Sequence, residues 1–211
     1  MLTIIAIFIL CYLLGSIPFG IIIGRIWKGI DIRNYGSKSA GFTNVYRVVG
    51  TLPAAIVLFL DIAKGMAAVL LITQISFDSP WVSLIDLKVI ASVSVIVGHV
   101  FPIFFRFRGG KGIATGLGAL WSILPVEVSL ALFLFIIVVA ITKYVSLGSL
   151  SAITFLFLAL IFEKYYLQTE VPSIIIIMIV FLTAFIFFNH RNNIKRLLNG
   201  TENKFGRKKA G

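Results

Sequence analysis

Seven stretches of the chain carry little but apolar side chains, at about 2–26, 51–76, 85–104, 113–124, 126–142, 147–165 and 171–189. Crossing the hydrocarbon core takes roughly 20 apolar residues, with shorter helices tolerated inside a bundle. The pattern predicts an all-α polytopic membrane bundle of seven transmembrane helices. Residues 113–142 are long enough for one continuous helix, but Pro125 lies near the middle, followed by Glu127. Proline removes a backbone hydrogen bond there and favours a break.

Composition agrees. Hydrophobic residues make up 59% of the 211 positions and charged residues 13%, well outside the soluble range. The first 24 residues are apolar for longer than a signal-peptide core. They lack a basic flank and a small-x-small cleavage site, and read as a retained span. With so much of the chain in spans, one domain over 1–211 is expected, residues 190–211 forming a basic tail. The single cysteine, Cys11, cannot form an internal disulfide, and one cysteine with two histidines cannot build a closed zinc site. Neither a metal nor a cofactor is expected.

The net charge of +11 raises nucleic acid as a partner, but its distribution excludes that. The cations sit in short loops and a tail beside apolar segments, as topology selection and anionic headgroups produce. With seven spans, loops 27–50, 105–112 and 143–146 and the tail from 190 share one side. That side holds 16 of the 19 Lys and Arg residues, including Arg207, Lys208 and Lys209 at the end of the tail. The other side keeps Lys88 and Lys164 with five acids. Merging spans four and five would place Lys143 and the tail opposite Arg106, Arg108 and Lys111. The positive-inside rule therefore predicts seven spans, the N-terminus outside and the C-terminus in the cytoplasm. The polar, chemistry-bearing segments then all open on the cytoplasmic face.

Four such segments stand out. In Asp31–Arg47, Ser37, Gly41, Thr43, Asn44 and Arg47 suit a loop that binds an anion; a plain polar connection with topology-setting cations is the alternative. A helix starting early would align Arg47 with Thr43 and Asn44. In 98–115, bare N–H groups at Gly109, Gly110 and Gly112, beside Arg106, Arg108 and Lys111, offer what a phosphate needs. The Walker spacing is absent, and a flexible basic turn fits the glycines alone about as well. His99 and Pro102 before the run and Thr115 one turn after Lys111 strengthen it, although a histidine at an apolar helix end is more often structural. Ser146 and Ser149 lie on one helical face, which small-residue packing also explains. His190 and Asn193 share a face at the end of the last span; a stop-transfer tail accounts for the cations around them but not for this pair. Asp61 and Lys64, i and i+3 inside the second span, should pair or face the interior. A structural ion pair is the preferred reading, and a path for a charged species the alternative.

Together these segments resemble the PlsY family, the bacterial integral-membrane acyl-phosphate:glycerol-3-phosphate acyltransferases. The resemblance runs through Gly-Ser-x-Pro-x-Gly at 15–20, the first loop, the Gly-His-x-Phe-Pro…Gly-Gly-Lys-Gly run, Tyr-x-Ser-Leu-x-Ser and His-x-x-Asn-Ile-x-Arg-Leu. It implies a seven-helix enzyme of the bacterial cell membrane, in phospholipid biosynthesis, that passes an acyl group from acyl phosphate to the sn-1 hydroxyl of glycerol 3-phosphate. Lysophosphatidic acid and phosphate are the products, and acyl-CoA and acyl carrier protein are not donors. One departure is local: Lys38, Ser39 and Phe42 stand where the family has Gly, Asn and Ala. Lysine takes φ > 0 less cheaply than glycine. This points to a different loop path, to an extra cation holding phosphate, or to a divergent paralogue with altered substrate choice.

On this reading Lys111 and the Gly109–Gly112 backbone bind phosphate and stabilise transition-state charge. Ser37, Arg47, Ser149, His190 and Asn193 complete the polar set, with Gly41, Thr43, Asn44, His99 and Ser146 in support. Lys111, His190, Ser149 and Asn193 are the expected catalytic residues. The donor's own phosphate accepts the hydroxyl proton, or His190 serves as base. The rival His-x-x-x-x-Asp acyltransferase signature is absent, since Phe104 and Lys195 occupy the relevant positions. A transporter of a phosphorylated metabolite, or a lipid-binding protein, is the alternative class. The protein is expected to act as a monomer among membrane lipids.

Overall fold

Pro18 divides the first apolar stretch into two helices, α1 (Leu2–Gly15) and α2 (Phe19–Lys28). A computed structural model describes residues 1–78 and 81–206, and no strand occurs among them. The remaining helices are α3 (Phe42–Val48), α4 (Thr51–Leu70), α5 (Leu84–Val100), α6 (Ile113–Trp121), α7 (Pro125–Thr142), α8 (Val145–Tyr165), α9 (Ser173–Asn189) and α10 (Arg191–Leu198). Short 3-10 turns occur at Ile32–Asn34, Ile72–Gln74 and Ile103–Phe105. The chain divides into two compact units, Met1–Ile123 and the part from Leu124 onward.

Every predicted apolar stretch is helical. Five of the described stretches are long and apolar enough to cross a bilayer: Leu2–Lys28, Thr51–Gln74, Leu84–Phe105, Pro125–Thr142 and Val145–Tyr165. The pair α9–α10, bent by 61°, makes a sixth if taken as one span. The segment expected at 113–124 is a nine-residue helix, α6, about 14 Å long at 1.5 Å per residue against a core of about 30 Å. As expected, Pro125 starts a new helix, α7, at its first position, where its missing N–H costs nothing.

In the first unit, glycines let helices approach to backbone contact. A Cβ on Gly15 would overlap the Val95 carbonyl and one on Gly98 the Tyr12 carbonyl, so α1 lies directly on α5. Gly65 and Gly118 face the carbonyls of Thr115 and Ile62 in the same way, pressing α6 onto α4. Such small-residue seams suit helices in lipid, where apolar burial gives no drive to associate. The polar end of α5 is fixed by a capping box, with Asp86 N–H donating to Ser83 Oγ and Ser83 N–H to the Asp86 carboxylate. In the second unit α7 and α8 form a hairpin in which Gly148 lies against Phe135 and Val139. Large apolar side chains such as Phe8, Phe59, Phe133, Ile141 and Leu158 remain exposed along these helices, a surface suited to lipid.

The structure refines three readings of the sequence. Thr43, Asn44 and Arg47 belong to a separate helix, α3, rather than to an early start of the second span. Gly50, at φ 136° and ψ −179°, takes a conformation open essentially to glycine alone and turns the chain between α3 and α4. The basic tail from 190 begins as a helix, α10; Arg207, Lys208 and Lys209 lie outside the described residues. Lys38 does not divert the first loop by refusing the left-handed region. It occupies that region, at φ 59°.

Left-handed backbone costs a residue with a Cβ about 1 kcal/mol. Lys38→Gly is therefore expected to raise stability by about 1 kcal/mol, read as a higher unfolding midpoint in detergent micelles. A fall would show that the Lys38 side chain contributes more than its backbone costs.

Candidate active site

The loop between α2 and α3 is wound around one side chain. Asn44, 1% exposed, is presented by α3 into the loop interior. Its Oδ1 accepts the Ser37 N–H at 2.8 Å, and its Nδ2 donates to the carbonyls of Ile32, Tyr35 and Ser39 at 3.0, 3.1 and 2.9 Å. Gly36 passes so close that a Cβ would overlap Asn44 Oδ1. Asn44 was expected to bind substrate, but its amide is occupied in holding the loop. Gly41 caps the start of α3 with its N–H 3.4 Å from Ser39 Oγ. Ser37, Thr43 and Arg47 are half-buried around this core.

Arg33 ties this loop to the next. Its Nε and Nη2 fork onto the Asp31 carboxylate at 3.0 and 2.7 Å, while Nη1 reaches the carbonyls of Phe105 at 2.8 Å and Arg108 at 3.3 Å. The guanidinium holds the Asp31 carboxyl below the usual carboxylate range. Because the folded value is depressed, the pair's stabilisation is present above the ordinary range and is lost as pH falls through the depressed value. From the sequence, Asp31 has no assigned role and Arg33 counts only among the cations of the cytoplasmic side.

The glycine–lysine run differs most from expectation. The N–H groups of Gly109 and Gly110 are not bare: they donate to the Val100 and His99 carbonyls, each at 3.1 Å, and the Gly109 carbonyl accepts from Ala40 N at 3.4 Å. The glycines are required by proximity instead. A Cβ on Gly109 would overlap the His99 carbonyl, and one on Gly110 would overlap His99 Nε2. Lys111, half-buried, and Gly112 follow, and Gly112 caps α6 without a side-chain bond. The first N–H groups of a helix have no intrahelical partner and carry partial positive charge. The start of α6 is therefore a backbone feature suited to an anion, with Lys111 just before it in the chain.

His99 faces away from solvent, at 6% exposure. Its Nδ1 lies 3.1 Å from Thr115 Oγ1 on α6 and 3.4 Å from Asp61 Oδ1 on α4. Asp61 pairs with Lys64 at 2.8 Å, the structural ion pair preferred from the sequence. Lys64 Nζ also donates to the carbonyls of Gly15 at 3.1 Å and Ile17 at 2.8 Å.

The second unit gathers its candidates around an acid that sequence reading missed. Glu202, 8% exposed, accepts at Oε1 from Ser146 Oγ at 3.1 Å and Asn193 Nδ2 at 2.7 Å, and at Oε2 from Arg196 Nε at 2.7 Å. The signal was present: Glu202 is the one acid after residue 190. Ser149 Oγ donates to its own helix, to the Val145 carbonyl at 3.0 Å. His190 is buried at the bend between α9 and α10, its Nδ1 2.9 Å from the Ile186 carbonyl. A carbonyl only accepts, so Nδ1 carries a proton. Among the described residues no cluster of His, Cys, Asp and Glu is arranged to hold a metal.

Comparison with known proteins sets the class first. The chain is similar to solved structures of PlsY (YgiH), an integral membrane glycerol 3-phosphate acyltransferase. Against the glycerol 3-phosphate form the TM-score is 0.84 at 36% identity, covering 96% of each chain. Against the lysophosphatidic acid form it is 0.81 at 35%, covering 96% of this chain and 95% of that one. The family model described as glycerol-3-phosphate acyltransferase matches residues 5–200. Relatives of that name include one from Desulforamulus reducens, 41% identical over 99% of this chain and 98% of its own. Another, from Halalkalibacterium halodurans, is 43% identical over 94% and 93%. The chain belongs to the PlsY family of glycerol-3-phosphate acyltransferases.

Asn44→Ala strands the Ser37 N–H and three carbonyls in a buried loop. It is expected to cost about 2–3 kcal/mol of stability, measured by unfolding in detergent. Glu202→Gln removes the charge that Arg196 and Asn193 share, and a loss of about 2 kcal/mol is expected. An unchanged midpoint in either variant would show that these bonds do not hold the loops.

Proposed function

We propose that this protein transfers the acyl group of an acyl phosphate to the 1-hydroxyl of sn-glycerol 3-phosphate, releasing lysophosphatidic acid and phosphate. The observation that carries the reading is the turn at Gly109–Gly112, which is bonded to the end of α5 and places Lys111 immediately before the start of α6, where no side chain caps the helix. Two positive features at one point suit a phosphate dianion. Lys111 holds that phosphate and stabilises charge developing on it, Arg47 adds a guanidinium able to grip two oxygens at once, and Ser37 adds a hydroxyl. The forms in which the solved relatives were captured, with glycerol 3-phosphate and with lysophosphatidic acid, support these substrate and product classes.

An acyl phosphate is an activated mixed anhydride, so no covalent enzyme intermediate is needed. The 1-hydroxyl oxygen bonds to the acyl carbon, the carbon–oxygen bond to phosphate breaks, and the hydroxyl proton passes to a phosphate oxygen as phosphate leaves. The protein contributes positioning and electrostatics. In the second unit, Ser146, Ser149, His190 and Asn193 carry the hydroxyl, imidazole and amide groups to which this reading assigns a part in the chemistry. Seven crossings, with α6 the short one, the N-terminus outside and these groups at the cytoplasmic face of a bacterial cell membrane, complete the reading. It takes the protein to work as a monomer. Asp61 and Lys64, the ionisable pair a transport path would use, are bound to each other, and Lys64 also to backbone carbonyls, which weighs against a transporter.

Purified protein should release phosphate from palmitoyl phosphate only when glycerol 3-phosphate is present. Release without acceptor, or turnover with acyl-CoA alone, would overturn the assignment of substrates. Lys111→Ala should lower turnover at least a thousandfold while the protein still inserts and unfolds normally; near-normal activity removes Lys111 from the site. His190→Asn separates the proton acceptors: retention of most activity leaves the donor's phosphate as the base.

A further inference from the structure

We infer that His99 is a positioning residue: clamped at Nδ1 by Asp61 and Thr115, it sets the Gly109–Gly110 turn and through it the placement of the Lys111 ammonium. The inference rests on the reading that Lys111 holds a substrate phosphate.

The argument begins with burial. His99 lies at the C-terminal end of α5 with 6% of its surface exposed, too little to meet a ligand directly. Its ring is held from two helices at once, by Thr115 Oγ1 on α6 at 3.1 Å and Asp61 Oδ1 on α4 at 3.4 Å. A carboxylate beside Nδ1 favours the proton there, which leaves Nε2 as an acceptor. Asp61 is itself held by Lys64 at 2.8 Å, and Lys64 by the Gly15 and Ile17 carbonyls. The ring therefore has little freedom to turn.

The opposite edge of His99 carries the turn. Its carbonyl accepts the Gly110 N–H at 3.1 Å, while the neighbouring Val100 carbonyl accepts that of Gly109. Its Nε2 occupies the space where a Cβ on Gly110 would sit. Backbone bond and ring edge thus fix the peptide immediately before Lys111. Thr115, one helical turn beyond Lys111, closes the loop by returning to His99 Nδ1. The segment 110–115 is held at both ends by one residue, at Gly110 by the His99 carbonyl with the ring packed against it and at Thr115 by the ring itself, with Lys111 between them. If the ring is altered, the ammonium loses its fixed place although no substrate contact has been removed.

The test is binding of glycerol 3-phosphate, and separately of inorganic phosphate, to purified full-length protein in detergent micelles, by calorimetric titration. Lys111→Gln is expected to weaken at least one of these ligands tenfold or more. Thr115→Val, which keeps the side-chain shape, and His99→Asn are expected to weaken the same ligand at least threefold at unchanged stoichiometry. A partly misfolded preparation would instead lower the stoichiometry and leave Kd alone. In the Lys111→Gln background, Thr115→Val should add less than twofold, because it acts through the missing ammonium.

Unchanged affinity in Lys111→Gln for both ligands sinks the reading of Lys111 itself. Weakened binding in Lys111→Gln, with Thr115→Val within 1.5-fold of the parent, overturns the role of His99 and leaves Lys111 in place. A full additive loss in the double variant overturns it as well. Should His99→Asn fail to fold, Thr115→Val decides alone.

Discussion

The buried pair of Asp61 and Lys64 is the interaction on which the first unit depends. Inside a bilayer, backbone groups must be satisfied by the protein itself. The break at Ser16–Pro18 leaves carbonyls at Gly15 and Ile17 without continuing helical partners. Lys64 reaches across from α4 to bond both. An ammonium at that depth needs a counter-charge, and Asp61, one turn earlier on the same helix, supplies it. The same carboxylate then faces His99 on α5, and His99 meets Thr115 on α6. A helix break, an ion pair and the start of α6 are therefore one network. Losing Asp61 or Lys64 leaves the other charge buried and unpaired, which in such sites costs about 3–5 kcal/mol.

What was legible in the sequence was whatever depends on length and local chemistry. Runs of apolar residues define helices because only helices satisfy their own backbone in lipid, and Pro125 marked a boundary because its ring cannot continue α6. The i, i+3 spacing of Asp61 and Lys64 announced their pairing for the same local reason. Less was legible where a residue's partner comes from far along the chain. Asn44 looks like a donor for a ligand until Ile32, Tyr35, Ser37 and Ser39 are seen to close around it. No local pattern reveals that the loop passes through Gly36 and Lys38 in left-handed backbone to do so.

Glu202 shows the same limit from the other direction. A basic segment after the last apolar helix reads as a topology signal, and its cations serve that reading. The lone acid within it folds back onto Ser146, Asn193 and Arg196, so part of the tail is framework rather than solvated charge. A single charge of opposite sign inside a like-charged run is worth a question, since it gains from any buried donor that the chain can bring to it.

The run Gly109-Gly110-Lys111-Gly112 carries the broader lesson about glycine-rich turns. Such a run is ordinarily read as exposed N–H groups waiting for phosphate. Here the first two are bonded to the end of α5, and the missing side chains make room for His99. The glycines serve packing, and packing serves the cation that follows them. Lys111 thus follows a turn bonded to α5 and directly precedes the start of α6, an ordered arrangement rather than a flexible cradle. A rigid arrangement of that kind needs little reorganisation when charge develops beside it, the condition under which electrostatic stabilisation is most effective.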